Sequence, residues 1–206
     1  AVKMLVGVIP GPIAVIEVAD AVGFSRKTEQ TPPIERRSSV GVGMLIRKTL
    51  DLGYKKIWIG LGGSMTVDLG LGALHALGVR FTDADGEAII PYPENLSRIV
   101  SIDRSGLDPR ITQSELTLLY DVNALLLGKD GALRVFGPQK GASRMQIEEW
   151  EAEFERIAPM LGADPSVLVN NTSYPLTVED LPDGDKAVTL DKFQSNPTRI
   201  TDDELH

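Results

Sequence analysis

The sequence contains no cysteine and only two histidines, His75 and His206, and both shortages exclude chemistry. Without cysteine the chain can form no disulfide, no thiol nucleophile and no cysteine metal site. Two histidines are too few for a histidine metal cluster. Because cysteine-free chains suit reducing compartments, we expect a cytoplasmic protein.

Long apolar runs and excess positive charge are missing as well. No apolar stretch reaches the length of a membrane span, and the first residues lack the basic flank, hydrophobic core and cleavage pattern of a signal peptide. The net charge of -8 opposes binding to the phosphate backbone of nucleic acids. We therefore expect a partner that is neither a membrane nor a nucleic acid.

The negative charge is concentrated in one segment. Residues 163–206 hold nine of the 29 acidic residues but only three of the 21 basic ones. Paired asparagines, prolines and a Pro-Asp-Gly turn interrupt the short apolar pieces of this segment. The sequence therefore predicts an α/β domain over residues 1–162, followed by an acidic extended arm or tail over residues 163–206.

The remaining patterns alternate between strand and helix. With 42% hydrophobic and 24% charged residues, the composition is that of an ordinary globular protein. The alternation predicts an α/β fold, a sheet flanked by helices, with a β-hairpin excursion around the turn at residues 83–86. The patterns predict strands at residues 13–18, 55–61, 79–82, 88–90, 96–102 and 116–120, and helices at residues 39–52, 69–77 and 144–161.

A glycine-rich run occupies residues 60–72, directly after a predicted strand and before a predicted helix. Backbone N–H groups at a helix N-terminus carry partial positive charge and can receive an anion. The glycine spacing matches neither standard nucleotide-binding fingerprint. Two interpretations remain open, an anion-binding loop and a tight connection between strand and helix.

Three further positions offer polar chemistry. Asp68 lies within the glycine-rich run, where it could hold Mg²⁺ or accept a proton, or cap the helix. Asp121 follows a predicted strand, where ligands of α/β sheets gather, although Asp-x-Asn is also common in turns. Gln139 and Lys140 follow a Gly-Pro pair and could bind a phosphate or carboxylate, or belong to a surface turn.

Taken together, these stretches resemble the type-1 glycerate kinases. The family's block G-I-G-G-S-A-T-N-D-G-G-A-G matches residues 60–72, and its D-I-S-G-L-D-P-R matches residues 103–110. Its C-D-V-x-N-P-L falls on residues 120–126, and its F-G-P-Q-K-G-A is intact at residues 136–142. The resemblance covers about residues 13–161.

The resemblance implies an enzyme that phosphorylates D-glycerate to phosphoglycerate with ATP and Mg²⁺. It also implies a fold of two α/β domains with the active site in the cleft between them, of which this chain supplies one wall. Another domain or a second copy of the chain would then complete the site. The implied catalytic and magnesium-binding residues are Asp68 and Asp121, and the implied substrate-binding residues are Gly62, Gly63, Ser64, Thr66, Gln139 and Lys140.

Several departures from the family pattern support an alternative. Val67 and Ala124 stand where the family has asparagine, Leu69 replaces a glycine, Leu125 a proline and Met44 a glutamate. The family's A-P-D-S-F-K and G-E-G-x-x-D-x-Q-S blocks are not found in this sequence. The alternative is a non-catalytic anion-binding or assembly domain of the same fold, and a nucleotide-binding module for another substrate is a third interpretation.

Overall fold

The computed structural model describes residues 6–9, 13–24, 27–120, 125–162, 176–180, 186–190 and 198–200. Asp121 and Ala124 lie outside the described residues. The strands are β1 (Val6–Ile9), β2 (Ile13–Glu17), β3 (Lys56–Gly60), β4 (Arg80–Thr82), β5 (Ser101–Asp103), β6 (Glu115–Leu119), β7 (Leu176–Asp180), β8 (Lys186–Leu190) and β9 (Thr198–Ile200). The α-helices are α1 (Val18–Val22), α2 (Val40–Asp51), α3 (Leu71–Ala76), α4 (Ala132–Lys140) and α5 (Arg144–Met160).

The main sheet has the strand order β1-β2-β3-β6. Strands β2, β3 and β6 are parallel, and β1 pairs with β2 in the antiparallel sense. The register aligns Glu17, Gly60 and Leu119 at the carboxyl ends of the three parallel strands. In parallel α/β sheets this is the edge at which ligands bind, so the fold directs attention to the loops that follow these three residues.

Helix α2 covers one face of this sheet, as the spacing of its apolar residues predicts. Leu45 and Ile46 are buried against Ile16 and Ile57, and the helix ends before Gly53, whose φ of +89° suits glycine. This face continues onto β6 with less cover. Leu116 and Leu118 pair with the buried Ile57 and Ile59 but are 36% and 48% exposed.

A second core lies between α3, β4, α4 and α5. Helix α5 begins with a capping box formed by Ser143 and Gln146, and its apolar stripe packs around Phe81. The buried residues of this stripe are Ile147, Trp150, Phe154 and Ile157, as predicted for this helix.

Two segments differ from their predicted structure. The turn at residues 83–86 forms, but β4 pairs with β5, and residues 88–90 contribute only one bridge, Thr82 to Ala88. Pro91 and Pro93 have no N–H to donate to a strand, which explains why the chain turns into a 3-10 helix at Pro93–Arg98 instead of extending. The Phe-Gly-Pro-Gln-Lys block lies within α4 and not in a surface turn.

Within the acidic segment the structure describes β7, β8 and β9 as a three-stranded antiparallel sheet. The domain boundary at residue 162 stays a prediction. Of the helices in the described part of the chain, none combines the length and apolarity needed to cross a membrane.

The close packing of α2 against α3 generates a test at two glycines of the same helix. A methyl group on Gly43 would overlap the Ala73 carbonyl oxygen, whereas one on Gly41 would make ordinary contact with Ala21 at 3.4 Å. We expect Gly43→Ala to lower the free energy of unfolding by about 2–3 kcal/mol through overpacking. The matched control, Gly41→Ala, should be neutral or stabilising by up to about 1 kcal/mol. Urea denaturation of both variants measures the difference, and equal stabilities would contradict the packing described.

Candidate functional site

A cavity of about 340 Å³ opens at the carboxyl edge of the parallel strands. Loops that follow β3 and β6 form part of its wall, the end of α4 forms another part, and Phe24 closes one side. The described lining residues are Phe24, Leu61, Gly62, Gly63, Ser64, Tyr120, Phe136, Gln139 and Lys140.

The glycine-rich run supplies hydrogen-bond donors to this cavity. The carbonyl of Gly63 accepts from the N–H of Phe24, and Met65 donates its N–H to Val22, which anchors the run to the end of α1. The N–H groups of Gly62 and Gly63 have no acceptor among the residues that the structure describes. Gly63 also has a φ of +68°, a conformation that favours glycine. The arrangement leaves two backbone donors beside the cavity.

Lys140 adds a cation to the same place. Its Nζ donates to the Ser64 hydroxyl and to the Thr66 carbonyl, both at 2.9 Å. Burial lowers the pKa of the Lys140 amine below its ordinary value, and the negative charge of Asp68 acts in the opposite direction. Because its two acceptors are neutral, the ammonium keeps its capacity to balance the charge of an anion.

The backbone of Lys140 is held by a contact from a distant loop. Helix α4 ends at Gly141, whose φ is +100°, so the Lys140 carbonyl is one of the last of the helix. Arg37 donates from Nη1 to this carbonyl at 2.7 Å and from Nε to the Pro32 carbonyl at 2.9 Å. The loop before α2 therefore fixes the end of α4 from which Lys140 reaches the cavity.

Asp68 lies behind the cavity wall and not in its lining. It is 2% exposed, and its Oδ2 accepts from the Ser39 N–H at 2.6 Å, the Ser39 hydroxyl at 2.8 Å and the Gly72 N–H at 3.2 Å. The Ser39 hydroxyl in turn accepts from the Ala73 N–H at 2.9 Å. The Asp68 carboxylate and the Ser39 hydroxyl thus accept from two N–H groups in the first turn of α3, and Asp68 also accepts from the Ser39 N–H directly before α2. These contacts favour the interpretation of Asp68 as a helix-capping residue.

Leu69 has an unusual backbone for its residue type. Its φ of +54° is the one positive φ at a non-glycine residue in the described part of the chain. A left-handed conformation costs an L-residue about 1–2 kcal/mol. A glycine would adopt this conformation without that cost, and the glycerate kinase pattern described above has a glycine at this position. Val67 is buried and packs in the second core, so it offers no group to the cavity.

The predicted site residues converge only in part. Five of them line the cavity together, Thr66 contributes its carbonyl to Lys140, and Asp68 lies behind the wall. The five lining residues are Gly62, Gly63, Ser64, Gln139 and Lys140. Sequence reasoning missed Phe24 as a lining residue. Tyr120 could have been found, because it directly follows the carboxyl end of a parallel strand.

The described lining of the cavity contains no carboxylate that could bind a metal ion. Mg²⁺ in proteins binds through one or two carboxylates together with substrate phosphates. No described residue in the lining is acidic, and the described residues contain no group of three or more His, Asp or Glu side chains that could hold a metal ion. The described wall therefore suits the anionic groups of a ligand and not the metal itself.

The buried contacts of Asp68 predict a large effect on stability. Asp68→Ala leaves three donors without their acceptor, so we expect the free energy of unfolding to fall by about 3 kcal/mol or more. The control is Asp85→Ala, in an exposed turn where the carboxylate accepts no described hydrogen bond; it should change stability by less than about 0.5 kcal/mol. Thermal and urea unfolding measure both, and a small effect of Asp68→Ala would refute the capping role.

Comparison with known proteins places this chain in a family. The sequence profile described as the Glycerate kinase family matches residues 1–175. The chain is 39% identical over 156 residues to the glycerate 2-kinase of Escherichia coli strain K12, and 38% identical over 158 residues to the glycerate kinase of Haemophilus influenzae. These alignments cover 73% and 75% of this chain but only 40% and 41% of the relatives.

A solved structure agrees. The crystal structure of a protein assigned as glycerate kinase 2 from Salmonella typhimurium LT2 superimposes with a TM-score of 0.70 at 40% sequence identity. The match covers 77% of this chain and 43% of that chain. The chain thus spans about two fifths of the length of its relatives. Profile, sequence identity and fold agree that this chain belongs to the glycerate kinase family.

Proposed function

We propose that this chain takes part in the ATP-dependent phosphorylation of D-glycerate to phosphoglycerate and supplies one wall of the active-site cleft. The observation that carries the proposal is the meeting of Lys140, Ser64 and two backbone N–H groups without a described acceptor at one cavity. The reaction brings together two anions, a carboxylate and a triphosphate, and needs donors and cations at such a place. Family membership supports this choice of reaction.

The proposed roles follow from the contacts of each residue. Lys140 neutralises an anionic oxygen of the substrate, and the N–H groups of Gly62 and Gly63 donate hydrogen bonds to it. Ser64 and Gln139 offer further polar groups at the same wall. Thr66 acts through its carbonyl, which orients the Lys140 ammonium.

Two carboxylates keep separate proposed roles. Because Asp68 is buried and its Oδ2 accepts three hydrogen bonds, its contacts favour a supporting role, in which its charge favours the protonated form of Lys140. Asp121 lies two residues beyond the carboxyl end of β6 in sequence, and its predicted role as catalytic residue and magnesium ligand remains part of the proposal.

The described wall offers groups that suit ATP but none that suit Mg²⁺. The donors of the described wall suit the phosphate oxygens of ATP, which would supply the transferred phosphoryl group. The described lining offers no carboxylate for Mg²⁺, which leaves Asp121 as the proposed ligand of the metal.

Two exposed leucines on β6 support the proposal that another part of the protein, or another chain, completes the cleft. Ile57 and Ile59 are buried beneath α2, whereas their neighbours on β6, Leu116 and Leu118, are exposed. No described strand pairs with the outer edge of β6. Because the relatives are about two and a half times the matched length, we propose that a further part of the protein, or a second chain, covers this edge.

Calorimetric titration with D-glycerate, alone and with Mg·ATP, tests the proposed site. We expect Lys140→Met to weaken glycerate binding about tenfold or more, because the carboxylate loses its cation. The control is Lys48→Met, an exposed lysine of α2 outside the cavity lining, which should leave the affinity unchanged. Absence of glycerate binding to the unmodified chain would refute the proposed function.

The pH dependence of the same titration gives a second check. Because burial lowers the pKa of Lys140 below 10.5, the ammonium loses its proton at a lower pH than an ordinary lysine. Glycerate affinity should therefore be highest where the ammonium is protonated, and as the pH rises it should decline at a lower pH than an ordinary lysine would give. In Lys140→Met this decline should disappear.

The completing partner has its own test at β6. Leu118→Lys should leave the stability of the isolated chain within about 0.5 kcal/mol, because the side chain is already half exposed. It should, however, reduce kinase activity when the chain is mixed with the part of the Escherichia coli relative that lies outside the aligned segment. Met145→Lys, at a 74% exposed position of α5, is the control for added surface charge. Equal activities of the two variants would argue against docking at this edge.

A further inference from the structure

Glu17 is a carboxyl group without a partner among the residues that the structure describes. It is half-buried at the end of β2, and in the described part of the chain it makes neither a hydrogen bond nor an ion pair. Burial raises the pKa of the Glu17 carboxyl, and the negative charge of Asp20 on α1 raises it further. A half-buried carboxylate beside a like charge reduces the stability of a fold, so its presence calls for another explanation.

The position of Glu17 connects it with the candidate site. The sheet register aligns it with Gly60 and Leu119, and the residues after these two, Leu61 and Tyr120, line the cavity. Glu17 is not itself a lining residue; its carboxylate lies over Gly60, directly before the lining residue Leu61. Beyond Glu17 the chain follows the glycine-rich run: the Ala19 methyl lies close to Gly63, and Phe24 reaches the cavity. Of the three residues that end the parallel strands, only Glu17 carries a polar side chain.

The absence of a side chain at Gly60 leaves the space that the Glu17 carboxyl group occupies. A Cβ atom on Gly60 would lie 2.8 Å and 2.9 Å from the two carboxylate oxygens of Glu17. Any other residue at position 60 would therefore displace the carboxyl, which is the far end of a flexible side chain, without forcing the backbone to move. Gly60 and Glu17 form a pair in which the absence of one side chain makes room for the other.

We propose that Glu17 determines specificity for a hydroxylated substrate, its carboxylate accepting a hydrogen bond from a hydroxyl group of the acid whose carboxylate is held at Lys140. This inference rests on the proposed function and deepens it. Lys140 and the glycine-rich run recognise negative charge, which pyruvate, lactate and glycerate share. A carboxylate can only accept hydrogen bonds, so it discriminates between acids that have a hydroxyl group and acids that lack it. The hydroxyl donates a hydrogen bond to the carboxylate, whereas an acid without the hydroxyl leaves the carboxylate unpaired.

The test compares three carboxylates that differ in one hydroxyl. D-glycerate has hydroxyls at C2 and C3, lactate lacks the one at C3, and 3-hydroxypropionate lacks the one at C2. The unmodified chain should bind glycerate about tenfold or more tightly than one of the two analogues, which is the effect expected of one hydrogen bond to a charged group. In Glu17→Gln, whose neutral amide oxygen accepts a weaker hydrogen bond, this preference should fall severalfold.

Three further variants separate this role from a structural one. Gly60→Ala keeps the Glu17 carboxyl but moves it, and should also reduce the preference for glycerate. Glu115→Gln makes the same chemical change at the amino end of β6, where Glu115 is exposed and pairs with Lys56, and should preserve the preference. Lys140→Met should weaken the binding of all three acids while preserving the preference for glycerate.

The outcomes are distinct. A fall in the preference in Glu17→Gln and Gly60→Ala, with folding verified by thermal unfolding, supports the inference. An unmodified chain that binds the three acids equally, or a Glu17→Gln variant that keeps the preference, overturns the role of Glu17 while the proposed function stands. An unmodified chain that binds none of the acids overturns both.

Discussion

One buried carboxylate oxygen, Oδ2 of Asp68, joins the parts of this protein that form the site. It accepts hydrogen bonds from Ser39 at the start of α2 and from Gly72 in the first turn of α3. Without this acceptor the N–H groups of Ser39 and Gly72 would be buried and unpaired, at about 1–3 kcal/mol each. The glycine-rich run between β3 and α3 therefore has a fixed path, because its end is tied to a second helix.

The cavity depends on that path. The run leaves β3, passes the end of α1 and reaches Asp68, and along this course Ser64 and Thr66 meet Lys140 from α4. Arg37 holds the end of α4 through the Lys140 carbonyl. Backbone donors, a hydroxyl and a buried ammonium thus converge from segments far apart in sequence, and their spacing is set by helix packing and not by the loop alone.

The departures from the family pattern affect the wall less than their number indicates. Val67 and Met44 do not line the described cavity; the first is buried in the second core and the second is exposed on α2. Leu69 keeps the left-handed backbone that a glycine would adopt more easily, at a cost in stability. The donors that carry the proposed function, on Gly62, Gly63, Ser64 and Lys140, are all retained.

The elements with strong local signals were predictable from the sequence. The apolar stripe of α5 and its capping box, the stripe of α2 with Gly53 after it, and the strands β2, β3 and β6 all follow from side-chain periodicity and end signals. The resemblance also identified most of the lining. Helix α1 could not be predicted, because five residues carry too little periodicity, and α4 was obscured by its internal Gly-Pro pair.

What the sequence by itself determined is therefore the elements with strong local signals and the residue types available for an anion, since both follow from short-range pattern and composition. Only the tertiary structure decided which of them meet. Asp68 and Ser39 are 29 residues apart and Lys140 and Ser64 are 76 residues apart, and no local signal encodes such contacts. The same holds for Glu17 and Gly60, which are brought together by strand register. Pairing between parallel strands and packing between helices are set by the whole chain, because each buries surface contributed by distant segments.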